Sequence, residues 1–341
     1  MSPDLAPWHQ ALWSNLQNRL QDDRLPHAFI LSGAKGTGKQ NFVRAFARSI
    51  LCKNKNSEND ACGHCNACQQ FAAGNHPDMA WVTFEINEKT KKLSTEIRID
   101  QIRLLCTQLS KTSLYAGYKI AVITPADRMN RHTANGLLKT LEEPANKTLI
   151  FLVTDKPSRL PITIRSRCQQ LEITKPDRAT GVKWLQQQGI ATALAEELLE
   201  LANLAPLEAL NLFDTDAVAL SDATFKEFMG LYNNQLDPIH IAATWDKTDG
   251  QFRLRLMITW VEQLIRYSFT QSSIGVMPAK KLQALQAIAN ELAAVDLYAF
   301  KERLNTTLYH LDTTANFQLI IEDVLIFWSN IKKEHVAASA Q

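Results

Sequence analysis

Residues 28–39 read Ala28-Phe29-Ile30-Leu31-Ser32-Gly33-Ala34-Lys35-Gly36-Thr37-Gly38-Lys39, an apolar run that turns into a glycine-rich loop and ends in lysine. Consecutive apolar residues suit a short strand buried on both faces. The spacing of Gly33, Gly36, Gly38 and Lys39 is that of a phosphate-binding loop, whose backbone N–H groups cradle phosphates while the lysine reaches the β- and γ-phosphates. Asn41 to Leu51 predicts the helix such a loop opens. Strand, loop and helix in this order point to an α/β P-loop domain built on a parallel sheet.

The motif departs from a working nucleotide site at two places. A hydroxyl should follow the lysine to hold Mg²⁺, and the residue there is Gln40. An acidic residue should close a neighbouring strand. The candidate strand Lys119-Ile120-Ala121-Val122-Ile123 is followed instead by Thr124-Pro125-Ala126-Asp127, which leaves Asp127 well past the strand end. Two readings of residues 33–39 stand side by side: a turn without a ligand, and residual nucleotide binding through Lys39. ATP is not expected to be hydrolysed by this chain.

A chain of 341 residues has room for two or three domains. Its 45% hydrophobic and 21% charged content is ordinary for a globular protein. With a formal charge of +2, any nucleic-acid surface must be local. No apolar run approaches the roughly 20 residues that span a bilayer. Met1 to Pro7 lacks a basic segment followed by an apolar one, so a cytoplasmic protein away from the membrane is expected. Six cysteines in a reducing compartment are not a disulfide framework.

Four of those cysteines belong together: Cys52, then Cys62, Cys65 and Cys68 in C-x-x-C-x-x-C spacing, with polar, loop-like residues from Lys53 to Asp60 between. Four thiolates can wrap one tetrahedral Zn²⁺ and leave no open position, so such a metal folds a loop rather than catalyses. Free thiols, a redox-active C-x-x-C pair and an iron–sulfur cluster are the competing readings, and His64 and His76 are nearby alternative ligands. A thioredoxin-type pair would sit on a βαβ pattern without further ligands, which does not match. Cys106 reads as a small buried residue.

Thr148 to Thr154 predicts another buried strand, and beyond it comes Ile164-Arg165-Ser166-Arg167-Cys168. Two arginines around a serine are, in isolation, an ordinary solvated pair. In oligomeric P-loop ATPases, however, one subunit's arginine stabilises transition-state charge on its neighbour's γ-phosphate. A chain unable to hydrolyse can still complete another subunit's site.

In order along the chain stand Leu25-Pro26-His27-Ala28, the loop Gly33 to Lys39, the four cysteines, His76-Pro77-Asp78 and Ile99-Asp100-Gln101-Ile102-Arg103. Asn135-Gly136-Leu137-Leu138-Lys139-Thr140-Leu141-Glu142-Glu143-Pro144 and Ser166-Arg167-Cys168 follow. This series resembles the delta-prime family of the bacterial DNA polymerase III clamp loader, which are AAA+ proteins; the resemblance covers roughly residues 20–170. It implies that Ser166, Arg167 and Cys168 form an SRC motif, with Arg167 acting in trans as an arginine finger on ATP held by the adjacent gamma/tau motor subunit. It implies zinc on Cys52, Cys62, Cys65 and Cys68. It also implies a hetero-pentamer with motor and delta subunits, a sliding clamp and primed DNA as partners, and a place in a DNA polymerase holoenzyme, a nucleotidyltransferase complex. Gln40, Thr124-Pro125 and the arginine-free Ala205-Pro206-Leu207-Glu208-Ala209 favour delta-prime over the hydrolysing motor.

Three parts are expected: residues 1–172 as the AAA+ domain with its zinc-binding loop, 173–215 as a small helical lid, and 216–341 as an all-α collar. Leu5 to Gln21 predicts an entry helix with Trp8, Leu12, Leu16 and Leu20 at helical spacing. Arg131 to Glu143 predicts a helix stopped by Pro144, and 85–96 a polar excursion. Helices are expected near 179–188, 193–203, 206–213, 251–269, 280–294, 296–311 and 315–332, with a frayed end at 337–341. Two rival functions remain: a self-sufficient ATPase of the gamma/tau type, and a zinc-dependent DNA-binding module using Lys53 and Lys55.

Overall fold

The computed structural model describes residues 5–56, 60–86, 91–115, 117–215, 217–271, 279–311 and 316–339, without the side chains of 248, 279, 280 and 333–339. These residues separate into two compact units, one spanning 1–191 with 204–208 and the other 192–203 with 209–341. No described helix is long and apolar enough to cross a membrane.

The first unit is built on a five-stranded sheet. Its strands are β1 (Ala28–Gly33), β2 (Met79–Val82), β3 (Lys119–Ile123), β4 (Thr148–Thr154) and β5 (Gln169–Ile173). They lie in the order β2-β3-β4-β1-β5 with every neighbouring pair parallel. The central runs are fully apolar because both faces are covered. Side chains alternate between the faces: Phe29, Leu31, Phe151 and Val153 meet Leu16, Phe42 and Phe46 on one. Ile30, Ile150 and Leu152 meet Ile102, Leu105, Leu137 and Leu141 on the other. Phe29 stacks on Phe151 at 5.4 Å, and Phe46 meets Phe151 edge-on at 6.0 Å. Truncating Phe151 to alanine would remove about 3–5 kcal/mol of this packing.

The three strands expected at 28–31, 119–123 and 148–154 are present. The entry helix begins with a single 3₁₀ turn, Pro7–His9, before Gln10–Gln21. The helix expected at 131–143 is two pieces, Arg131–Asn135 and Leu138–Glu142. Between them the backbone tightens, with Gly136 N–H donating to Thr133 O and Leu137 N–H to Ala134 O, both at 3.1 Å. A side chain at Gly136 would meet Ile99 Cδ1 at 2.9 Å. Of the polar excursion, residues 87–90 lie outside the described residues; its flanks pair through an antiparallel bridge between Ile86 and Leu93.

The second unit is helical. Thr192–Leu201 belongs to it, as do Ala217–Tyr232, Pro238–Thr244, Lys247–Thr270, Ala279–Glu291, Ala294–His310 and Phe317–Ser339. The end expected to fray is helical as far as Ser339, and 340–341 lie outside the described residues. Trp328 is the centre of the core. It stacks on Phe228 at 4.3 Å and Phe300 at 4.6 Å, and its Nε1–H donates to Phe228 O at 2.9 Å. Trp260, Leu264, Val324 and Leu325 share that core, whereas Leu319 and Ile326 on the same last helix face outward.

Candidate functional site

The phosphate loop leaves the C-terminal end of β1, and the helix Lys39–Leu51 follows it. Gly36 and Gly38 both have left-handed backbone, at φ 78° and 84°, which favours glycine. A side chain at Gly36 would also strike Glu208, and one at Gly38 would strike the ring of His9. The loop is therefore folded as the motif requires, with its own chain packed directly against it.

Lys39 is buried, and its ammonium donates to Gly33 O at 2.9 Å and Ala34 O at 2.6 Å while pairing with Asp155 Oδ1 at 2.6 Å. Three donors meet three acceptors, which is the full capacity of a lysine. Trp8 Nε1–H and His9 Nε2–H both donate to Thr37 O, at 2.9 and 2.7 Å. His9 Nδ1 accepts from Ala6 N–H at 3.3 Å, so the ring is neutral with its proton on Nε2. Burial pushes the His9 pKa down, against a smaller opposing effect of the Thr37 carbonyl. On the other side Leu207 N–H donates to Gly36 O at 3.1 Å, and Lys35 pairs with Glu208 at 2.8 Å. Gln40 Nε2 donates to Thr124 Oγ1 at 3.1 Å. Asp127 accepts from Thr154 Oγ1 at 2.6 Å and so serves the end of β4.

Arg167 lies elsewhere. The register pairs Phe29 with Gln169 and Gly33 with Ile173, so the chain enters β5 beside the start of β1. Arg167 precedes that entry, whereas the phosphate loop follows the exit of β1. The two are at opposite ends of a parallel sheet, separated by about 3.3 Å per strand residue. Arg167 Nη2 pairs with Glu142 Oε1 at 2.6 Å, and Nη1 donates to Thr163 O at 2.9 Å and Ser166 Oγ at 3.4 Å. Cys168 is buried in the core under the sheet, and burial pushes its thiol up to about 12. It is therefore an inert packing residue of the motif, while Arg167 is exposed.

The four spaced cysteines converge. The sulfurs of Cys52, Cys62, Cys65 and Cys68 all lie within 4.8 Å of one another, with Cys52 to Cys62 at 3.6 Å and Cys52 to Cys65 at 3.9 Å. Zinc–sulfur bonds of about 2.3 Å in a tetrahedron place sulfurs about 3.8 Å apart, so the donor set fits such an ion. Backbone N–H groups of Cys62 and Cys65 point at Cys52 Sγ (3.3 Å) and Cys62 Sγ (3.4 Å), which favours thiolate charge. Burial opposes ionisation at Cys65, but hydrogen bonds from the Cys68 and Lys53 backbone and neighbouring thiols hold it down to about 6. Burial pushes Cys68 up to about 12. His64 is turned to its own loop, Nδ1 sitting 2.8 Å from Cys62 O, and His76 Nδ1 accepts from Asp78 N–H at 3.2 Å.

The sequence reading places Trp8 in the entry helix and Glu142 in the 135–144 motif but gives neither a role at the site, and it does not single out His9 or Asp155. Asp155 had a usable signal, since it directly follows β4, the neighbour of the loop-bearing strand. Trp8 and His9 meet Thr37, and Glu142 meets Arg167, across long stretches of chain, and no local pattern shows those contacts.

A family model described as DNA polymerase III, delta subunit, matches residues 8–177, and one described as the C terminal of that subunit matches residues 222–330. The chain is 32% identical to DNA polymerase III subunit delta' of Pseudomonas aeruginosa over 96% of its own length and 98% of that protein. It is 32% identical to the same subunit of Escherichia coli over 62% of this chain and 61% of that one. Among solved structures, a DNA polymerase III gamma subunit-related protein of Thermotoga maritima aligns with a TM-score of 0.41 at 17% identity, covering 93% of this chain and 99% of that one.

Proposed function

The chain belongs to the DNA polymerase III delta-prime subunit family, and from that membership we propose that it is a non-hydrolysing subunit of the clamp loader. In this reading it helps place a sliding clamp on primed DNA during chromosomal replication in the cytoplasm. Its partners are the gamma/tau motor subunits and a delta subunit in a hetero-pentamer. Arg167 acts in trans on ATP bound by the neighbouring motor.

The observation that carries the reading is the separation of Arg167 from this chain's own loop by the length of the sheet. An arginine so placed is remote from phosphates at Lys39, yet its exposed guanidinium is presented to a neighbour. Its planar fork of donors suits charge that spreads over phosphoryl oxygens in the transition state. Lys39, with its three donors taken by Gly33 O, Ala34 O and Asp155, supports the idle half of the reading. The sulfurs of Cys52, Cys62, Cys65 and Cys68 fit a structural zinc that pins the segment after helix Lys39–Leu51. We also read residues 173–215 as a lid and 216–341 as the collar through which subunits assemble.

Mg·ATP turnover by the purified chain separates this reading from a self-sufficient ATPase. No turnover above background is expected, and brisk hydrolysis would overturn it. Tight, salt-dependent DNA binding by the isolated chain that disappears when 53–60 are replaced would favour a DNA-binding zinc module instead.

A further inference from the structure

Arg167 does not wait empty-handed. Its Nη2 holds Glu142 Oε1 at 2.6 Å, while Thr163 O and Ser166 Oγ fix the other arm of the guanidinium. Glu142 closes the helix Leu138–Glu142 ahead of β4, and Arg167 follows the helix Ile162–Arg165 ahead of β5. Both helices therefore end on the same rim of the sheet. A carboxylate oxygen and a phosphoryl oxygen are equivalent partners for this fork, since both are anionic acceptors taken at the same distance and angle. The pair is half open to solvent, with side chains 36% and 48% exposed. Pairs so exposed are weak and readily exchanged.

Resting on the reading of Arg167 as a trans-acting group, we propose that Glu142 is a positioning residue that occupies the phosphate place on Nη2. It steers the guanidinium while the neighbouring site is empty, and the incoming triphosphate displaces it. Thr163 O and Ser166 Oγ keep the other arm in place through the exchange, so the guanidinium changes partner without losing its orientation. Glu142 thus competes with the triphosphate for Nη2, and the pair must open before the phosphate can take that arm. Removing that charge must favour the ATP-engaged arrangement, and it must do so only where Arg167 is present to make the exchange.

The test is the ATP dependence of hydrolysis in a reconstituted complex whose only competent site is the one facing this chain. Four versions of the subunit are compared: unaltered, E142Q, R167A and E142Q/R167A. E142Q is isosteric and exposed, and an unchanged elution volume of the complex checks that it assembles. The expected result is a KM for ATP lowered about two- to fivefold by E142Q, the range an exposed pair can supply. With Arg167 absent, E142Q is expected to have no effect on KM. An unchanged KM in E142Q, or an equal shift in the R167A background, would overturn the role of Glu142 alone. An R167A complex that hydrolyses normally would remove the arginine reading, and this inference with it.

Discussion

Gln40 Nε2 and Thr124 Oγ1 are joined by a 3.1 Å hydrogen bond. These residues stand where a hydrolysing P-loop protein carries its Mg²⁺-binding hydroxyl and its strand-end carboxylate. A neutral amide and a neutral hydroxyl satisfy each other there. Neither brings the negative charge a divalent cation requires. The loop thus keeps its glycines and lysine, and under the proposed function it is the metal positions that leave it idle.

Restoring one ligand is consequently not enough. Gln40→Thr is expected to leave Mg·ATP turnover by the isolated chain at background, because no carboxylate stands at the end of β3 and Asp127, further on, is bonded to Thr154. A coupled phosphate-release assay reads this directly, and measurable turnover in the variant would contradict it.

The closed loop makes a pH prediction through His9. In the folded chain burial keeps its imidazole neutral below the ordinary histidine value, while in the unfolded chain it takes a proton near pH 6.5. Below that point the unfolded state binds more protons, so stability falls as pH falls and is fully present above it. His9→Gln should flatten the stability slope between pH 6.5 and 5 by at most about 1.4 kcal/mol per pH unit. Urea unfolding at several pH values measures it, with His76 contributing a slope of the same sign to both proteins because burial lowers its pKa too. Identical slopes would mean His9 is charged or exposed in the native chain.

Much of this arrangement is legible in the sequence. Ala28 to Leu31, Ile120 to Ile123 and Leu149 to Val153 are continuous apolar runs because they become the three inner strands. The edge strands Met79–Val82 and Gln169–Ile173 were missed, being short and, in the second case, exposed at alternate residues. The cysteine cluster was legible because its spacing alone brings the thiols within reach. The closing contacts on the loop were not, since Trp8 and His9 reach Thr37, and Leu207 reaches Gly36, only after the sheet has assembled. The pattern of apolar residues runs past Gly136 as if the helix were continuous, and the closeness of Ile99 to that position exists only in three dimensions.

The four cysteines predict one zinc per purified chain. Cys65→Ser should lower metal content and loosen residues 53–56, so that limited proteolysis cuts there first. Structural sites of this kind tie metal binding to folding, so chelation should also lower the melting temperature. Metal-free protein with an unchanged melting temperature and protease pattern would contradict a structural ion, and iron in place of zinc would point to a cluster.

The most direct test of the division of labour is single-turnover ATP hydrolysis at the neighbouring motor site, in complexes built with unaltered chain or with Arg167→Ala. Loss of a trans arginine is expected to slow that site by a factor on the order of 10³–10⁵, while the complex elutes as before and the isolated chain remains silent. Unchanged hydrolysis in the Arg167→Ala complex would contradict the account.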